Sequence, residues 1–166
     1  MGTIVTVNGQ TDFKIEVKNI DAQKALVIKK ETPTSQIGEA MGEVYGKLFS
    51  YLEQNNIAPA GAPFAVYLEF DPQGKTVFEA GVPVSSDANV SGELIMKDYP
   101  GMKVACTKFV GSYDKMMPVY EAMDKYLKDS KLEAAGGPWE VYLTDPAVTE
   151  PDKNETLVYF PVNDQI

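Results

Sequence analysis

Two stretches decide the reading: MGEVYGKLFSYLEQNNIAPAGAPFAVYL at residues 41–68 and MMPVYEAMDKYLKDSKLEAAGGPWEVYL at residues 116–143. Laid over each other at a shift of 75 residues, they agree at eleven of 28 positions, where ordinary composition predicts roughly two. The matches are Met41/Met116, Val44/Val119, Tyr45/Tyr120, Tyr51/Tyr126, Leu52/Leu127, Ala60/Ala135, Gly61/Gly136, Pro63/Pro138, Val66/Val141, Tyr67/Tyr142 and Leu68/Leu143. At a shift of 78 the flanks follow: Gly81-Val82-Pro83-Val84 falls opposite Tyr159-Phe160-Pro161-Val162, and Leu26-Val27-Ile28 opposite Val104-Ala105-Cys106. A whole unit is repeated rather than one helix.

Working outward, Phe13 to Val17 alternates apolar and polar like a half-buried strand, and Ala25 to Lys29 is a second, more apolar strand. Thr34 or Ser35 is then placed to cap a helix on which Ile37, Met41, Val44, Tyr45, Leu48, Phe49 and Leu52 form one apolar stripe, ending at Asn55-Asn56. Pro63 to Phe70 and Thr76 to Val84 read as strands joined by the turn Asp71-Pro72-Gln73-Gly74. The second copy repeats this order with a strand from Met102 to Phe109, a helix from about Asp114 to Asp129, and strands at Trp139 to Thr144 and Thr156 to Val162. Repeat units of about residues 12–84 and 93–162 follow, joined by the polar segment Ser85 to Gly92, all within a single domain of residues 1–166. Each helix has one apolar stripe and each set of strands needs a cover. The predicted fold is therefore α+β: two strand-helix-strand-strand units sharing one antiparallel sheet, with two helices flanking a groove.

Composition excludes several chemistries. The 15 positive residues are all lysines, and there is no histidine. Without His there is no Ser/His or Cys/His pair and no imidazole for zinc or for proton transfer near neutrality. Without Arg there is no planar fork for phosphate or a guanine edge. A net charge of −9 repels polyanions, so no nucleic acid or membrane partner is expected, and the surface favours neutral or cationic ligands. The single cysteine, Cys106, lies in an apolar run and reads as a small buried thiol. No signal-peptide pattern or apolar span occurs, which predicts a cytoplasmic setting. No cofactor or metal is expected: the acidic run from Glu150 to Glu155 lacks the spacing of a calcium loop and reads as a solvated turn.

Strand alternation puts Trp139, Val141 and Leu143 on one face and Glu140 with Tyr142 on the other. The first copy has Ala65 and Tyr67 at the latter two positions, so the repeat keeps both tyrosines but carries a carboxylate only once. Two readings of Glu140 stand at this point. Either it faces the groove as a ligand-binding charge, or it points into water or pairs with a lysine. Tyr45, Tyr120, Met41, Met116, Met117, Met123 and Phe49 supply large, adaptable surface on the helices; most such residues are core, with a lining role for those at the groove edge. The candidate ligand-binding set is Glu140, Tyr142, Tyr67, Trp139, Tyr45, Tyr120, Met117 and Phe109.

The chain resembles the GyrI-like, or bacterial effector-binding, domain family over nearly its whole length. The resemblance is carried by Glu16-Val17-Lys18-Asn19-Ile20-Asp21-Ala22-Gln23-Lys24, by Phe109-Val110-Gly111-Ser112-Tyr113 as a Gly-x-Tyr lead into the second helix, by Gly137-Pro138-Trp139-Glu140-Val141-Tyr142, and by Pro161. It implies a curved sheet, a small-molecule groove, and a role for Glu140 in receiving cationic aromatic guests. Relatives occur as effector-sensing parts of AraC-type and MerR-type regulators or as stand-alone proteins. The expectation is a stand-alone binder of hydrophobic, aromatic, cationic or neutral compounds that senses or sequesters them. The alternatives are a hydrolase of reactive natural products using Glu140 and Tyr142, and a gyrase-inhibitor-like module or partner of a separate regulatory protein.

Overall fold

The computed structural model describes residues 3–7 and 11–164, with side chains over residues 13–163. In chain order the elements are β1 (Thr3–Val7), β2 (Thr11–Ile20), β3 (Gln23–Pro33), α1 (Ile37–Gln54), β4 (Phe64–Phe70), β5 (Lys75–Pro83), β6 (Leu94–Tyr99), β7 (Met102–Val110), α2 (Met117–Asp129), β8 (Leu132–Ala134), β9 (Trp139–Tyr142) and β10 (Glu155–Asp164). The fold is α+β: antiparallel sheet, not closed, and two long helices among the described residues.

The chain forms two compact units, a central one from Asp21–Gly101 and an outer one from Met1–Ile20 together with Met102–Ile166. In the central unit the strands lie in the order β4-β5-β3-β6. In the outer unit the order is β1-β2-β7-β10-β9, and β8 also pairs with β10. Both units thus run strand, helix, strand, strand, as β3-α1-β4-β5 and as β7-α2-β9-β10, the latter with the short β8 between α2 and β9. The strand containing Phe13 to Val17 pairs with β7 and belongs to the outer unit, while β6 supplies the corresponding neighbour of β3.

Of the stripe predicted for the first helix, Val44, Leu48 and Leu52 are buried together with Ala40; Ile37, Met41 and Tyr45 are partly buried, and Phe49 is exposed. The second helix buries one face likewise. Ala40, Val44, Leu48 and Leu52 of α1 pack on Leu26, Ile28, Phe78, Ala80 and Val82; Val119, Ala122, Met123 and Leu127 of α2 pack on Phe13, Ile15, Ala105, Val158 and Val162. Burying one such aliphatic side chain contributes about 1.5–3 kcal/mol. The expected cap at Thr34 or Ser35 does not form: residues 34–36 make a 3-10 turn, and α1 begins at Ile37 without a side-chain cap. The Thr34 hydroxyl is held elsewhere, donating to the Asp71 carbonyl at 2.6 Å and lying 2.8 Å from the Thr76 hydroxyl. At the other end Asn56 adopts φ 54°, a conformation Asn tolerates, and Ile57 N–H closes the helix on the Leu52 carbonyl. The second helix starts at Met117 rather than Asp114, because Tyr113–Lys115 is a separate 3-10 turn, and Pro118 occupies the first turn where its missing donor costs little.

Register refines the repeat. Ala65 lies opposite Ala80 and Tyr67 opposite Phe78; Glu140 lies opposite Val158 and Tyr142 opposite Thr156. These pairs match at shifts of 75 and 78, as the sequence predicts. On the neighbouring strand, Leu26 lies opposite Val82 and Ala105 opposite Phe160, so Leu26-Val27-Ile28 corresponds to Ala105-Cys106-Thr107. The sequence alignment is displaced there by one residue, which would send each side chain to the wrong face. Cys106 is buried, and burial pushes its thiol up. No described helix is long and apolar enough to cross a membrane.

Candidate functional site

The site is built on β9. Glu140 and Tyr142 share a face of the strand, and their cross-strand partners on that face are Val158 and Thr156, of which Val158 packs in the core with α2. The stripe that seats α2 through Val119 and Met123 also brings the adjoining Tyr120 over β9. Its phenol donates to Oε2 of Glu140. The Tyr142 phenol donates to Oε1 at 2.9 Å. Glu140 is only 8% exposed, so its carboxylate is taken from water into a pair of aromatic hydroxyl donors.

Further rings surround it. Tyr120 packs on Phe160 with centroids 5.7 Å apart, and Tyr113 stands edge-on to Tyr142 at 5.7 Å and 67°. Burial, then the negative charges of Glu140 and Asp145, push the Tyr113 phenol above its ordinary value. Phe109 lies in the same cross-strand row as Tyr142, with Thr156 between them. An aromatic-walled carboxylate of this kind can receive a large cation whose charge is spread over an apolar body, because ring faces and carboxylate both attract it. Its phenols can also hold a proton near the carboxylate.

The outer unit thus brings together Glu140, Tyr142 and Tyr120, with Phe109 two strands away from Tyr142. Trp139 is 3% exposed and turns to the opposite face of β9, beside Tyr159. Met117 is 62% exposed at the start of α2. Tyr45 and Tyr67 belong to the central unit, where the Tyr45 phenol donates to the Phe64 carbonyl and Tyr67 packs 6.4 Å from Phe78. Two features escaped sequence reasoning. Tyr113 was visible as part of the Gly-x-Tyr stretch, but nothing in its spacing tied it to Glu140. The central unit's own buried carboxylate, Glu79, accepts from Lys97 Nζ at 2.7 Å on each oxygen and from the Tyr99 hydroxyl at 3.1 Å, and an isolated Glu in β5 gives no sign of that. Among the described residues no group of His, Cys, Asp and Glu could hold a metal ion.

Solved structures with this fold include EcmrR in an EcmrR–DNA complex, with TM-score 0.82 and 15% identity over 92% of this chain and 58% of that one. This chain therefore spans less than two thirds of the EcmrR chain; the EcmrR C-terminal domain alone is 99% covered, with TM-score 0.74 and 18% identity over 92% of this chain. SAV2435 bound to tetraphenylphosphonium matches with TM-score 0.66 and 15% identity, over 90% of this chain and 93% of that one. A hydrolase from Listeria innocua matches with TM-score 0.67 and 11% identity, over 90% and 91%. No curated protein matches by sequence. The family model for the GyrI-like small molecule binding domain aligns with residues 13–163, and by that match this chain belongs to the GyrI-like family.

Proposed function

We propose that this small-molecule-binding domain takes hydrophobic aromatic ligands at the Glu140 face of its outer unit, prefers those with positive charge, and serves to sense or sequester them. The observation that carries the reading is the Glu140 carboxylate, buried among Tyr120, Tyr142 and Tyr113 and supplied with hydroxyl donors. Such donors keep the carboxylate oriented at little cost, and a cation with an aromatic body regains in Coulomb attraction and ring contact what burial removes from the charge. The binding of tetraphenylphosphonium by SAV2435 is in keeping with this. The matched register of the two units supports reading them as copies of one unit, of which only the outer copy has the carboxylate at this position.

The test is a calorimetric titration of the parent and Glu140→Gln with tetraphenylphosphonium and with neutral triphenylphosphine oxide. Gln keeps the shape and removes the charge. The cation loses about 1–3 kcal/mol of affinity and the neutral compound much less. Equal losses for both would mean that Glu140 acts through packing, and would overturn the charge preference.

A second reading is favoured by one contact, the 2.9 Å hydrogen bond between Tyr142 and Glu140. A carboxylate aligned by a phenol can orient and deprotonate a water, which makes a hydrolase of electrophilic hydrophobic compounds the alternative. Turnover of such a compound that disappears in Glu140→Gln would establish it; recovery of bound compounds unchanged favours the first reading.

A further inference from the structure

The face of β10 that runs past Glu140 carries one polar group that the proposed binding mode leaves unused. Thr156 is fully buried, and its hydroxyl has no hydrogen-bond partner among the described residues. Its register is unambiguous: Thr156 lies directly opposite Tyr142 on one side and Phe109 on the other, and two residues on, Val158 lies opposite Glu140. Directly paired residues of antiparallel strands share a face. The hydroxyl therefore sits on the Glu140 side of the sheet, in a row between two aromatic residues, one strand from the phenol that donates to the carboxylate.

The central unit shows what a purely structural residue looks like at this place. There Phe78 lies opposite Tyr67, is fully buried and packs in the core under α1. A ring fills the position and needs no hydrogen bond. The outer unit instead has a smaller side chain with a hydroxyl, in the same unit that has Glu140 where the central one has Ala65. A buried hydroxyl without a partner costs stability that a valine of the same shape would not, so a structural role alone does not account for it.

We infer that the Thr156 hydroxyl is a ligand-directed hydrogen-bonding group of the Glu140 site, and that the ligands suited to it are aromatic cations that also carry a polar oxygen. The inference rests on the Glu140 reading and sharpens it. Glu140 selects charge, and Thr156 selects a hydroxyl, ether or carbonyl placed on the apolar body away from that charge. Thr156 both donates and accepts, so a ligand hydroxyl can meet it in either sense.

The experiment compares two phosphonium cations of equal shape, (4-hydroxymethylphenyl)triphenylphosphonium and its 4-ethyl counterpart, against the parent, Thr156→Val, Thr156→Ser and Glu140→Gln. Expected is a shift of the affinity ratio towards the ethyl compound by roughly three- to tenfold in Thr156→Val. Thr156→Ser keeps the parent ratio. Thr156→Val melts no lower than the parent, because no existing hydrogen bond is lost. An unchanged ratio in Thr156→Val, or a clear drop in its melting temperature, overturns the assignment. If both cations bind in a Glu140-dependent way while Thr156→Val leaves the ratio alone, only the Thr156 assignment falls. If neither cation binds the parent, the Glu140 reading fails and takes this one with it.

Discussion

The two units place the same tyrosine on the same part of the helix and give it different acceptors. In the central unit Tyr45 donates to the main-chain carbonyl of Phe64, next to Ala65. In the outer unit Tyr120, 75 residues on, donates to the side chain of Glu140, which stands where the other unit has Ala65. A phenol that meets a main-chain carbonyl in one unit thus meets a buried carboxylate in the other, where β9 has Glu140 in place of Ala65. The scaffold needs little rearrangement for this, since strand alternation and helix seating already aim the phenol at that point.

The largest expected effect concerns what the units share. Leu48 of α1 and Met123 of α2 are both fully buried at matching places. Leu48→Ala and Met123→Ala should each lower stability by about 2–5 kcal/mol in urea denaturation. A cost well below that in one unit alone would break the equivalence of the two cores. A smaller effect separates the units. Tyr120→Phe removes a donor from a carboxylate and should cost about 1.5–3 kcal/mol, whereas Tyr45→Phe removes one from a neutral carbonyl and should cost about 0.5–1.5 kcal/mol. The reverse order, measured at neutral pH, would mean that the Glu140 contact is the weaker tie.

The smallest effect is a pH dependence at Tyr113 of the outer unit. The Tyr113 phenol is raised above its ordinary value of 10.0, chiefly by burial and then by Glu140 and Asp145. In alkali the unfolded chain gives up this proton first, so the contribution of Tyr113 to stability is complete below its unfolded value and declines as pH rises towards and through the folded one. Tyr113→Phe should flatten that decline in a thermal-denaturation series above pH 10. An unaltered slope would mean that Tyr113 titrates alike in the folded and the unfolded chain.

Much of this was legible in the sequence, for reasons that can be named. Helix stripes such as Val44, Leu48 and Leu52 recur at helical spacing, and Tyr142 was placed beside Glu140 by alternation alone. The Glu140/Ala65 asymmetry needed only the repeat. What failed to show has equally physical causes. In Val104-Ala105-Cys106 all three side chains are apolar and buried, so the period of two has no phase and the alignment slipped by one. The strand Leu94–Tyr99 mixes Leu, Ile, Met, Lys, Asp and Tyr without alternation, so its sequence carries no strand signal. Thr156 gives no signal in the sequence because a threonine in a strand is ordinary, and only the register shows that it stands where the central unit has a core phenylalanine.

The bond between Tyr120 and Glu140 has one more consequence, which belongs to thermodynamic linkage rather than to recognition. It joins the first turns of α2 to β9 through the very carboxylate proposed to meet the ligand. A guest that draws on that carboxylate competes with the attachment of the helix, and by reciprocity any force that loosens the amino-terminal end of α2 must alter the affinity for the guest by the same factor. Occupancy of the site and the freedom of a helix end are thereby two readings of a single free energy.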